Sequence, residues 1–293
     1  MHESIRITAP CKINLHLRVL RRRADGFHDI ESVFQLVSLA DGLTVSVSGP
    51  EGASRVLSPL MELPAVNTVS RAIELFRAET GIRSGIAVDL EKRVPAGAGL
   101  GGGSSDAAAT LVALDRLFRT DLSRAALDAM AAKIGSDVPF FLSGGAAIVE
   151  GRGERVTPIP ARDDLYGVLI WPGVHSSTAE AYGLVDAWHA SHGDLGADWP
   201  AVSELADRYH GPVGDWRFAN SFTAPLEARY PAIRDARLAL VASGAAFAEM
   251  SGSGSSVFGL FADRQAADNA YVSLSAHCKQ CVKFLLLASS PMR

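Results

Sequence analysis

The stretch that most constrains this chain runs Pro95-Ala96-Gly97-Ala98-Gly99-Leu100-Gly101-Gly102-Gly103-Ser104-Ser105-Asp106. Five glycines in seven residues let the backbone adopt φ > 0 and leave no Cβ to keep a bulky anion from the amides. Upstream, Ile86-Ala87-Val88-Asp89-Leu90 reads as a half-buried strand. Downstream, Ala107, Leu111, Leu114 and Phe118 recur at helical spacing, with Ser104 a good N-cap. Strand, glycine loop and helix start bring unpaired N–H groups and the positive end of a helix dipole to one point, where phosphate is favoured. The pattern predicts a cradle for a nucleoside triphosphate. A loop that merely lets a helix pack closely on a sheet stays open as the alternative.

Two other phosphate cradles do not fit. Gly97, Gly99 and Gly102 satisfy G-x-G-x-x-G, but the dinucleotide fold also needs an acidic residue ~20 positions on, at the end of a second strand. Asp121 has the spacing, yet Leu122 to Ile134 then reads as another helix. The P-loop requires Gly-Lys before Ser or Thr, and here the glycines run into Ser104 with no lysine.

The remaining chain narrows the class. Its 293 residues suit one large or two ordinary domains. A net charge of -4 gives no general pull toward nucleic acid or an anionic membrane. Met1 to Thr8 is polar, and no apolar run approaches the ~18 residues of a membrane span. Three cysteines, an odd number, argue against a disulfide framework and for the reducing cytoplasm. Cys278 and Cys281 form C-x-x-C, but His277 and distant Cys11 are a poor supply of further zinc ligands, so chance spacing is the better account. The expected partner is a small molecule, with no nucleic acid or membrane, for a monomer or homodimer.

Ile5 to Val19 alternates at unusual length, setting Ile5, Ile7, Ala9, Cys11, Ile13, Leu15, Leu17 and Val19 against Lys12, Asn14, His16 and Arg18. Lys12 and Asn14 could serve one pocket, although alternation alone favours a solvated polar face. Pro10 points to an edge, a bulge or a register change. Asp25-Gly26 marks a turn before Phe27 and His28, and strands follow at Phe34 to Leu39 and Leu43 to Val47. Helices are expected over Thr68 to Thr80, with Gly81 closing it, and over Arg124 to Ile134, capped by Ser123. Asp137, two residues before Pro139, is either the N-cap of a helix or a general base held at its start. Gly144 to Val149 reads as a strand. The aperiodic text from Thr157 to Asp164 suggests a division into domains 1–158 and 159–293. Beyond it come a strand at Tyr166 to Trp171, a helix through Ala179 to Ala190, an uninformative stretch His192 to Gly214 in which Trp199, like Trp188 and Trp216, suggests local packing, and a helix Leu226 to Ala242. A Gly/Ser loop at Met250 to Ser256, a strand Val257 to Phe261, a helix Gln265 to Ala276 and a strand Val282 to Leu287 close the chain.

A first strand with Lys12 and Asn14, the loop Pro95 to Ser105, and the later Gly252-Ser253-Gly254 resemble, in that order, the three motifs of the galactokinase, homoserine kinase, mevalonate kinase and phosphomevalonate kinase (GHMP) superfamily. Within it, Ala9-Pro10-Cys11-Lys12-Ile13-Asn14-Leu15, Arg23-Ala24-Asp25-Gly26-Phe27-His28 and Gly135-Ser136-Asp137-Val138-Pro139-Phe140 are similar to the kinases of 4-diphosphocytidyl-2-C-methyl-D-erythritol in non-mevalonate isoprenoid synthesis. The resemblance spans the chain, strong to about residue 150 and weaker through 185–220.

This resemblance implies an α+β, two-domain GHMP kinase fold, with a ribosomal-S5-like N-terminal domain and a ferredoxin-like C-terminal domain. It implies ATP as phosphoryl donor with Mg²⁺, and a small-molecule acceptor carrying cytidine diphosphate. Lys12 and Asp137 match the catalytic pair. Pro95, Ala96, Gly97, Ala98, Gly99, Leu100, Gly101, Gly102, Gly103, Ser104 and Ser105 match the triphosphate loop, with Ser105 a metal contact. Asn67 and Lys92 match residues near the adenine. Phe27 and Tyr182 match the aromatic pair around the cytosine, His28 the residue at its edge, and Asn14 a residue near the acceptor hydroxyl. Phe27 and Tyr182 stand where Tyr and Phe are expected, which keeps the stacking area but moves the hydroxyl. Cys11 and Ser136 stand where alanine is expected. A homoserine or mevalonate kinase is the alternative within the superfamily.

Overall fold

The structure, a computed structural model, describes residues 4–193, 199–278 and 280–292. Its first half runs β1 (Ser4–Arg22), β2 (His28–Val47), β3 (Ser54–Leu57), α1 (Thr68–Thr80), β4 (Ile86–Glu91), α2 (Gly102–Phe118), α3 (Arg124–Ile134), α4 (Val138–Ser143), β5 (Ala146–Gly151) and β6 (Arg155–Ile159). The second runs β7 (Tyr166–Ile170), α5 (Thr178–His192), α6 (Leu205–His210), α7 (Thr223–Arg229), α8 (Pro231–Ala242), β8 (Phe247–Met250), β9 (Val257–Phe261), α9 (Arg264–Ser275) and β10 (Cys281–Leu285). Among the described residues, no helix is long and apolar enough to cross a membrane.

In the first sheet β2 is the spine. It pairs with β1 along its length, with β5 through Ile30 to Gln35 and with β4 through Gly42 to Val47. This explains why β2 is one strand and not the two expected: Gly42 is held opposite both Thr8 and Glu91, so ladders on both sides carry the strand through the gap between Leu39 and Leu43. The register slips between Pro10 and Lys12, where proline has no N–H to give the ladder. The second sheet has the order β10-β7-β9-β8, all antiparallel, which is the 4-1-3-2 arrangement of a ferredoxin-like unit. Leu17 bridges to Asn220 and Val37 to Leu286, tying the first sheet to the second half of the chain.

The polar side of β1 is not solvated. Lys12, Asn14 and His16 are as buried as Cys11, Ile13 and Leu15, because the second half of the chain covers that face. Burial pushes the His16 pKa down to about 3, so this ring is neutral. Three further expectations change. The helix expected over Leu226 to Ala242 is two, because Pro231 cannot continue α7 and instead starts α8. The cap of α2 is Gly101 at φ +67°, not Ser104, so the glycines themselves form the first turn. The aperiodic text from Thr157 to Asp164 begins inside β6, the edge strand of the first sheet. Trp216 is fully buried in the core shared by both sheets, whereas Trp188 stacks on His192 and Trp199 meets His16 edge-on. Part of the uninformative stretch, 194–198, lies outside the described residues.

Candidate active site

A cleft of about 740 Å³ opens between the two halves. Its walls are β1, the glycine loop, the start of α4, the start of α5 and the loop after β8. Lys12, Asn14, Phe27, Asn67, Lys92, Asp137, Tyr182 and residues 95–104 all line it.

The glycine loop is held from both sides. The Gly99 carbonyl accepts from Lys12 Nζ at 3.0 Å and from Ser251 Oγ at 2.9 Å. The Leu100 carbonyl accepts from the Lys12 amide, and the Ala98 carbonyl from the Ser256 amide. Gly99 sits at φ +80°, and a Cβ there would come within 1.9 Å of the Ser251 carbonyl. Gly99→Ala is therefore expected to destabilise the fold by about 2 kcal/mol or more, by left-handed strain and a clash against backbone. Thermal unfolding reads this; an unchanged midpoint would mean that the loop is not locked to Ser251.

Lys12 is held on several sides. Its Nζ donates to Asn14 Oδ1 at 2.5 Å, lies 3.8 Å from Asp137 Oδ2 and stands 4.7 Å above the Phe34 ring. Burial lowers its pKa, opposed chiefly by Asp137. Asn14 is oriented in turn: its Nδ2 donates to Ser32 Oγ at 3.0 Å, and that hydroxyl donates to the His16 carbonyl. Asp137 occupies the N-cap position of α4, but its side chain makes no capping hydrogen bond. The carboxylate is turned to the lysine instead, so the helix holds it without using it.

At the opposite end Lys92 Nζ donates to Asp41 Oδ2 at 2.5 Å and to Asp106 Oδ2 at 2.9 Å. Burial works against this ammonium, yet Asp106 and Asp41 outweigh it and raise its pKa. Burial pushes the Asp106 carboxyl up to about 7, against the pull of Lys92. Asn67 caps α1, with Oδ1 accepting from the Ser70 amide and Nδ2 donating to the Pro64 carbonyl, so its amide is committed locally.

The metal expectation changes at Ser105. This residue is fully buried, and its hydroxyl donates to the Pro10 carbonyl at 2.6 Å, away from the cleft. Among the described residues no cluster of three or more His, Cys, Asp or Glu could hold an ion by itself. Asp106 Oδ1, by contrast, is a buried carboxylate oxygen without a hydrogen-bond partner, on a residue that lines the cleft. A cation brought in on a polyphosphate fits that atom.

At the outer end Phe27 is 56% exposed, with the Arg152 guanidinium 4.7 Å over its ring. Tyr182 meets Phe222 edge-on at 4.9 Å, and burial raises its pKa to about 12. His28 does not line the cleft: it is buried behind Tyr182, stacked on that ring.

Residues 67–145 match the GHMP kinases N terminal domain, and residues 197–280 the GHMP kinases C terminal domain. A 4-diphosphocytidyl-2-C-methyl-D-erythritol kinase of Treponema pallidum (strain Nichols) is 44% identical over 288 residues, 97% of this chain and 99% of that protein. One from Anaeromyxobacter dehalogenans is 41% identical, covering 92% of this chain and 85% of its own. A crystal structure of 4-(cytidine 5'-diphospho)-2C-methyl-D-erythritol kinase superposes with a TM-score of 0.81 at 34% identity, over 96% of this chain and 99% of that one. The chain belongs to the 4-diphosphocytidyl-2-C-methyl-D-erythritol kinase family.

Several groups in and behind this family member's cleft escape sequence reasoning. Asp106 ends the glycine stretch but draws no attention beside two serines. Ser251 lies in a recognisable Gly/Ser loop, yet nothing local shows that its hydroxyl reaches Gly99. Arg152 follows a strand-breaking glycine, which marks only a turn. Ser32 and Asp41 sit in a strand with no signal at all.

Proposed function

We propose that the chain is an ATP-dependent kinase that phosphorylates the 2-hydroxyl of 4-diphosphocytidyl-2-C-methyl-D-erythritol, an isoprenoid precursor. The reading is carried by one observation: Lys12 Nζ and Asp137 Oδ2 stand 3.8 Å apart in the same cleft as the glycine loop. Phosphoryl transfer asks a protein mainly for positioning and for charge to meet the developing negative oxygens. Loop amides and the start of α2 would hold the β- and γ-phosphates. Asp137 would accept the proton of the 2-hydroxyl as its oxygen bonds to the γ-phosphorus and the bond to the β–γ bridging oxygen breaks. Lys12, fixed by Asn14 and the Gly99 carbonyl, would face both the carboxylate and the entering oxygen. The magnesium ion of MgATP supplies positive charge to the β- and γ-phosphate oxygens, and Asp106 is the residue that would hold it. The division into domains 1–158 and 159–293 is proposed on the first sheet's last strand, which ends at Ile159. A cytoplasmic setting is proposed on three unpaired cysteines.

Phe27 and Tyr182 would hold the cytosine, each stacking contact contributing about 1–3 kcal/mol. A coupled ADP-release assay tests the assignment with 4-diphosphocytidyl-2-C-methyl-D-erythritol against homoserine and mevalonate. Turnover with the first alone is expected; turnover with either of the others at equal efficiency would sink it. In the same assay the uridine counterpart should turn over more slowly than the cytidine substrate, and equal rates would contradict recognition of the base.

A further inference from the structure

His175 lies between β7 and α5, in the segment that brings the second half of the chain against the glycine loop. The segment is pinned on both sides of it: the Ser255 hydroxyl donates to the Val174 carbonyl, and Thr178 Oγ1 lies 3.3 Å from Ser253 Oγ. Both serines belong to the loop whose Ser251 seats Gly99. The imidazole comes down on Gly97, where a Cβ would stand 3.0 Å from His175 Cε1 and 3.4 Å from Nδ1. Ser177 is committed to capping α5 and Thr178 to Ser253, whereas the exposed His175 ring makes no hydrogen bond or ion pair among the described residues. The two lysines that line the cleft are already engaged, Lys12 with Asn14 and Gly99, Lys92 with Asp41 and Asp106. His175 is therefore a pre-positioned side chain beside the triphosphate loop with its polar atoms unspent.

We propose that His175 binds the nucleotide, donating an imidazole N–H to the polyphosphate of ATP from the second half of the chain. A neutral imidazole carries one N–H and an imidazolium two, so a donor is present in either state. A hydrogen bond to an ionised phosphate oxygen is of the stronger, charge-assisted kind. Each half of the chain then supplies donors to one polyphosphate, the first through the loop amides and the second through this ring. Bound ATP thereby ties the segment before α5 to the glycine loop. The inference deepens, and rests on, the reading of that loop as an ATP cradle.

Calorimetric titration of the full chain with MgATP tests it in four variants; His175 is exposed, so none of them opens a core cavity. His175→Ala and His175→Leu remove the N–H, and each should weaken MgATP binding by about tenfold or more. His175→Asn and His175→Gln place an amide N–H near the positions of Nδ1 and Nε2, and one of the two should recover part of the loss. In the transfer assay the fall in kcat/KM for MgATP should appear as a raised KM, with KM for the acceptor alcohol within about twofold of the unaltered protein. Unchanged MgATP affinity in His175→Ala and His175→Leu, a loss carried by the acceptor's KM instead, or no recovery in either amide variant overturns the proposal. An unaltered protein that binds no MgATP overturns the reading of the glycine loop and this inference with it. Normal MgATP binding that is insensitive to residue 175 overturns only the role of His175.

Discussion

Asp137→Asn is expected to lower kcat by about three orders of magnitude, the range lost when a positioned general base is removed, with ATP affinity little changed. Its carboxylate makes no capping hydrogen bond, so the amide costs α4 nothing in backbone satisfaction. The substitution is isosteric on a side chain about one-third exposed, so thermal stability should hold. A single-turnover experiment with saturating MgATP separates chemistry from binding. Near-normal transfer in this variant would remove Asp137 from the mechanism.

Lys12→Ala is expected to cost about two to four orders of magnitude in kcat without unfolding the protein. The argument is one of opposing terms. Burial disfavours the Lys12 ammonium, so removing it relieves a desolvation cost while forfeiting the bonds to Asn14 and Gly99. Lys12→Met keeps the stem against Phe34 and isolates the charge from the packing. Both variants should lose transfer alike if the charge matters. A large fall in melting temperature with turnover retained would make Lys12 a structural residue instead.

What could be read in the sequence was whatever a local pattern carries. The glycine loop, the lysine two positions from an asparagine, and the Asp-Val-Pro turn are short, and their residue types announce their chemistry. The helices at Thr68 and Arg124 were legible because Gly81 closes the first and Ser123 caps the second, whereas the Asn67 cap of the first went unread. The burial of the polar face of β1 was not, because what covers it lies far along the chain: the Asn14 amide donates to Ser251 Oγ across 237 positions. Asp106 is silent for the same reason, its partner Lys92 being clamped by Asp41 from another strand. Ser105 and Ser104 misled in opposite ways. One looked like a ligand and serves the backbone of Pro10; the other looked like a cap and lies inside the helix. The short strands β3 and β8, four residues each, hold too little periodicity to register.

The seating of Gly99 against Ser251 also bears on how the protein comes into being. Lys12 leaves the ribosome well before Ser251, but the clamp that fixes its orientation is completed only once the loop at Ser251 has emerged. A nascent chain would thus be unable to spend ATP before the loop at Ser251 has emerged, and cutting the gene between the two sheets should yield two silent polypeptides.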